Sequence, residues 1–157
     1  MDISAERLEE LITAKKQITA PPKKGMTIER QCKRNQFDAY APELDESFHV
    51  FMRQNCILPD DFSVGLMWNR KDGEPIILFR CNGPHGGNEN VPHKFCTHIH
   101  RLNLEKAVED IFKENDTTET KEYSTFEDAI FFFLTHCGFD TAEMQSYFPF
   151  LYNISLF

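Results

Sequence analysis

Two apolar runs, "FSVGLMWN" at 62–69 and "EPIILFRC" at 74–81, are separated only by Arg70, Lys71, Asp72 and Gly73. An Asp-Gly step supplies the positive-φ residues of a tight turn, so the two runs pair as an antiparallel β-hairpin. A lone hairpin is marginal in water, so these strands need further strands beside them and a layer to cover them. "FCTHIHR" downstream is one strand candidate. Upstream, "MTIERQCKR" alternates Ile28, Arg30 and Cys32 against Thr27, Glu29 and Gln31, as a half-exposed strand does. "DESFHVFMRQN" alternates Phe48, Val50 and Met52 and reads as another strand, with a short helix as the alternative.

Helices flank this β-rich middle. "DISAERLEELITAKKQ" places Leu8, Leu11 and Ile12 on one helical face, with Asp2 or Ser4 as cap, before "APPKKG" breaks it. After Asn103, Leu104, Ala107, Val108, Ile111 and Phe112 recur at helical spacing. "NDTTETKEYS" reads as a polar loop. "STFEDAIFFFLTHCG" then opens with the capping box Ser124-x-x-Glu127 and closes at Gly138. A last short helix is capped by Asp140. Strands followed by helices define an α+β class: one domain over 1–157, helical at 1–19, mainly β at 26–101 and mainly α at 103–157. The expected sheet is antiparallel, of about four to six strands, packed by the N-terminal and C-terminal helices.

Composition narrows the function classes. The five cysteines are odd in number and include no C-x-x-C pair, which argues against a disulfide framework or a cysteine zinc knuckle. "AIFFFLTHCGF" is too short to span a bilayer, and the acidic, amphipathic N-terminus is unlike a signal peptide. A cytoplasmic protein without membrane contact is expected. The net charge of −8 is uneven: 62–103 carries five basic and three acidic side chains, whereas 104–157 carries three and eleven. An acidic total argues against generic nucleic-acid coating but permits a focused anion site.

Four of the six histidines fall between Arg80 and Arg101: His85, His93, His98 and His100. On a strand, His98 and His100 point to one face and Ile99 to the other, toward the core, with Arg101 also on the opposite face. Three readings fit this cluster. One is a metal site with His85 or His93 as a third ligand, although Glu89 is the only nearby acid. Another is metal-free phosphoryl chemistry, in which histidines act as acid and base and Arg80 neutralises phosphate, with Asn82 or Asn88 orienting the substrate. The third is structural: "NGPHGGN" has turn composition, and the histidines brace it. Elsewhere, His49 has no partner nearby in sequence, His136 and Cys137 do not face each other on a helix, and Trp68 reads as core.

The run "ILFRCNGPHGGN…THIHR", followed by an amphipathic helix and "FEDAIFFFLTHC", resembles a bacterial and phage-associated family of unknown function with an Arg-x-Asp/Asn…Pro-His…His-x-His motif. It is similar, more distantly, to TumE-like toxin–antitoxin proteins. The resemblance spans about Phe62 to Cys137 and carries over Arg80, Asn82, Pro84, His85, His98 and His100. Asn82 stands where an aspartate is common, and His93 is an alternative match to the later Pro-His element.

The expected function is accordingly that of a toxin–antitoxin or phage-defence protein. It would bind or cleave RNA without metal or other cofactor, through Arg80, His85, His98 and His100 as the catalytic set. Asn82, Asn88 and His93 would be substrate-binding. The alternative is a non-enzymatic interaction protein, an antitoxin or phage-encoded inhibitor, whose acidic C-terminal helices bind a basic protein partner. Oligomeric state is left open.

Overall fold

The computed structural model describes residues 3–84, 96–107 and 116–152. Its frame is a fully antiparallel sheet of eight strands: β1 (Gln17–Ala20), β2 (Thr27–Glu29), β3 (Cys32–Ala41), β4 (Glu46–Asn55), β5 (Phe62–Asn69), β6 (Ile76–Asn82), β7 (His98–Arg101) and β8 (Asp116–Glu119). The order is β1-β3-β4-β5-β6-β7-β8, with β2 also paired to β3. The helices are α1 (Ala5–Thr13), α2 (Leu104–Ala107), α3 (Phe126–His136) and α4 (Thr141–Tyr147), followed by a 3₁₀ turn at Pro149–Tyr152.

The expected α+β class and antiparallel sheet are present, but the sheet exceeds the four to six strands expected. The surplus comes from short strands with little hydrophobic period. β8 lies inside the polar run read as a loop, and β1 overlaps the end of the stretch assigned to the first helix. "MTIERQCKR" is not one strand. Arg30 and Gln31 both take positive φ, 49° and 66°, and turn the chain between the paired residues Glu29 and Cys32. That is the geometry of a two-residue primed hairpin turn, built here without glycine or asparagine. The Asp72-Gly73 turn is as expected, with Gly73 at φ 125°.

One face of the sheet is the core face. Phe37, Phe48, Val50, Val64, Leu66 and Phe79 project from it and are buried. They pack against Leu8, Leu11 and Ile12 of α1, the face expected from sequence, and against Phe126, Ile130, Phe133 and Leu134 of α3. Phe37 meets Phe139 and Phe148 at ring separations of 5.6 and 5.5 Å, and Phe62 meets Phe126 at 5.4 Å. Ser4 caps α1 by accepting from the Arg7 amide, and Asp140 caps α4 by accepting from Glu143. The cap of α3 is Thr125, accepting from Asp128, one residue later than the expected Ser124 box. The expected helical continuation through Val108, Ile111 and Phe112 lies outside the described residues.

Lys16 holds three parts of this layer together. It is only 2% exposed, and its ammonium donates to the carbonyls of Ile12, Ala14 and Cys137 at 2.8, 3.0 and 2.8 Å. Those oxygens sit at the carboxyl ends of α1 and α3, where helix dipoles favour a cation. The same ammonium lies 4.8 Å from the centroid of the Phe48 ring. Gly138, at φ 86°, passes so close to α1 that a Cβ there would stand 2.2 Å from the Ala14 carbonyl oxygen.

Candidate functional site

The face of the sheet turned away from the helices carries the candidate site, organised by cross-strand register. One rung runs Arg34, Arg53, Ser63, Asn82, His98, Glu119 from β3 to β8. The next runs Gln36, Phe51, Gly65, Arg80, His100, Thr117, and a third begins Asp38, His49, Met67, Ile77. Side chains alternate along every strand, so these residues share one side and the apolar core residues the other.

Four of the expected site residues meet here. Arg80 pairs with His100, and Asn82 with His98, on adjacent strands. The His98 and His100 rings share a face as expected, with centroids 4.8 Å apart and planes at 77°. Ile99 and Arg101 take the other face, where Arg101 reaches Glu9 at 2.7 Å. Both histidines are buried, at 0% and 8% exposure. His98 Nδ1 lies 3.0 Å from the Cys96 carbonyl, an acceptor only, so Nδ1 carries the proton. His100 Nδ1 is 3.1 Å from the Thr117 hydroxyl. Asn82 is buried and accepts from the Ser63 hydroxyl at 2.9 Å. His85, Asn88 and His93 lie outside the described residues.

Tyr123, absent from the sequence reading, ties this corner from behind. Its hydroxyl lies 2.9 Å from the Asn82 carbonyl and 2.8 Å from that of His98, and so fastens β6 to β7 at the rung bearing those residues. Burial raises its phenol well above the ordinary range, so it is a neutral donor. Burial likewise holds the neighbouring Cys81 as a thiol.

Toward β3 and β4 the same face opens into a depression of about 340 Å³, lined by Arg34, Gln36, Phe51, Arg53, Arg80 and Asn82 among others. Phe51 lies across Gly65: a Cβ on that glycine would stand 2.2 Å from the ring. Arg53 is paired with Asp61 at 2.8 Å; burial lowers its guanidinium, but the bond and charge of Asp61 outweigh this and raise it. Arg34 is exposed. An adjoining depression of about 450 Å³ includes Arg34, Asp38 and His49. His49, which has no partner nearby in sequence, lies with Nδ1 2.7 Å from Asp38 Oδ1. The pair follows from the register of the β3–β4 hairpin, which places Asp38 opposite His49.

Among the described residues, no group of three or more His, Cys, Asp or Glu side chains is placed to hold a metal ion. No helix among them is long and apolar enough to cross a membrane. No protein-family model matches the chain, and neither a curated protein nor a solved structure matches it.

Proposed function

We propose that this protein binds single-stranded RNA on the open face of its sheet, within a toxin–antitoxin or phage-defence setting of the kind its His-x-His motif resembles. The observation that carries the reading is Arg34, Arg53 and Arg80, from three strands, lining one depression with the Phe51 ring. Guanidinium groups take phosphate oxygens in a fork geometry, and the half-buried Phe51 ring offers a base an aromatic surface to stack on. A β-surface with both features suits an unpaired strand better than a duplex. His98 and His100 are too deeply buried to meet substrate first, which favours a bracing role beneath Arg80 and Asn82 over direct acid–base work.

A second surface favours the protein-partner alternative. On α3, Phe131 is exposed and lines a groove with Glu122 and Asp128, a combination complementary to a basic, partly apolar segment. Phe131→Asp separates the two readings, because it leaves RNA affinity unchanged if the open sheet face is the working surface. The primary test is fluorescence anisotropy of a labelled mixed-sequence single-stranded RNA with wild type and with Arg34→Gln. Loss of affinity in the variant supports the reading; equal affinity refutes it.

A further inference from the structure

We infer that the open sheet face is also a ribonuclease site, in which His49, oriented by Asp38, is the general base. This rests on the RNA-binding reading and assigns the chemistry to a histidine other than the His98/His100 pair. Three observations converge. His49 and Asp38 are register partners on β4 and β3, with Nδ1 and Oδ1 2.7 Å apart. A carboxylate accepts only, so Nδ1–H donates to Asp38, and Nε2 on the far side of the ring is the basic nitrogen. The His49 side chain keeps 26% exposure and lines the depression it shares with Arg34 and Lys23, so a ligand reaches it. Asp38 and Glu29 also line this space, which makes it a mixed site rather than a plain cationic patch.

The geometry also places the dyad sensibly against the binding surface. Along β3 and β4 the outward rungs run Arg34/Arg53, Gln36/Phe51, Asp38/His49. Successive outward rungs lie about 7 Å apart, so a base stacked on Phe51 leaves its sugar and phosphate beside His49 on one side or the arginines on the other. The step is an intramolecular transesterification. Nε2 of His49 takes the proton of a ribose 2′-hydroxyl, the 2′-oxygen bonds to the adjacent phosphorus, and the bond from phosphorus to the 5′-oxygen breaks. The leaving 5′-oxygen takes a proton from water, and the imidazolium returns its own to solvent. The products are a 2′,3′-cyclic phosphate and a free 5′-hydroxyl. Arg34 and Lys23 offset the charge that builds on the phosphoryl oxygens. Asp38 is a positioning residue, fixing tautomer and ring orientation.

The test uses the intact protein, a fluorescein-labelled single-stranded RNA and EDTA throughout. Cleavage is read by gel, and affinity is read separately with the uncleavable 2′-O-methyl form. Wild type should cut RNA to cyclic-phosphate ends and leave 2′-deoxy substrate intact. His49→Gln should lose about a hundredfold or more in rate while binding the 2′-O-methyl strand as wild type does. Asp38→Asn, which changes a half-exposed side chain, should bind equally and lose about tenfold or more. Wild type that binds the 2′-O-methyl strand but cuts nothing overturns the nuclease and leaves the binding reading standing. Undiminished cutting by folded His49→Gln overturns the assignment to the dyad. Failure to bind at all overturns the binding reading itself.

Discussion

Arg34 stands directly opposite Arg53 across the β3–β4 pair, two guanidinium side chains on one rung of an open sheet face. Like charges facing each other on adjacent strands destabilise a sheet. Asp61, 2.8 Å from Arg53, offsets the charge of one of the two. Under the proposed reading, a bound phosphate offsets the charge of the other. Arg34→Gln is therefore expected to change unfolding free energy by no more than about 0.5 kcal/mol. It should also flatten the dependence of log affinity for single-stranded RNA on log salt by about 0.7. Chemical denaturation and anisotropy across a salt series measure the two effects. A large loss of stability with an unchanged slope would make Arg34 structural.

The Phe51 ring packs over Gly65, in the space a Cβ there would fill. Gly65→Ala should push the ring off the sheet and destabilise the fold by about 1–3 kcal/mol. Phe51→Ala should leave folding closer to wild type but weaken RNA binding by about 1–3 kcal/mol, the contribution of one stacked base. Thermal denaturation and RNA titration of the two variants separate packing from stacking.

Tyr123→Phe removes the hydroxyl shared by the carbonyls of Asn82 and His98. Buried acceptors that lose their donor cost about 1–3 kcal/mol, which denaturant unfolding reads directly. Amide exchange should quicken first at β7, where this tether acts, rather than in β4 or β5.

Lys16→Met would leave three carbonyls at two helix ends without the ammonium, and about 1–3 kcal/mol of stability should go with it. Burial lowers the Lys16 pKa from 10.5 to about 8 in the folded protein. Between those values the unfolded chain holds the proton more firmly than the native state, so stability gains from Lys16 as pH rises from 8 to 10.5. Burial pushes the adjacent Cys137 up to about 12, above that window. The stability gap between wild type and Lys16→Met should thus widen over this range, by at most about 3 kcal/mol. A gap that narrows there would contradict the sign.

What the residues reveal by themselves is the local part of the structure. The Asp72-Gly73 turn, the Leu8/Leu11/Ile12 face and the shared direction of His98 and His100 all follow from spacing within one segment, and each holds. The Arg30–Gln31 turn was hidden because neither residue signals positive φ. β8 was hidden because a polar edge strand carries no hydrophobic period. The Asp38–His49 pair, the three-arginine depression and the Lys16 carbonyl cage depend on register between segments. The Tyr123 tether joins residues 25 and 41 positions apart. Clustering in sequence draws attention to His98 and His100, which are buried on their face of the sheet, whereas His49, a partly accessible imidazole, takes its partner from the neighbouring strand.

Single-stranded RNA held on the open sheet face by phosphate contacts, as proposed, should reveal itself in a salt-dependent titration. Fluorescein-labelled single-stranded RNA titrated with intact wild-type protein should show saturable binding at low salt. Its log affinity should fall against log salt with a slope of about −2, as three arginine contacts imply. The absence of saturable binding at low salt, or a slope near zero, would overturn RNA binding by this face.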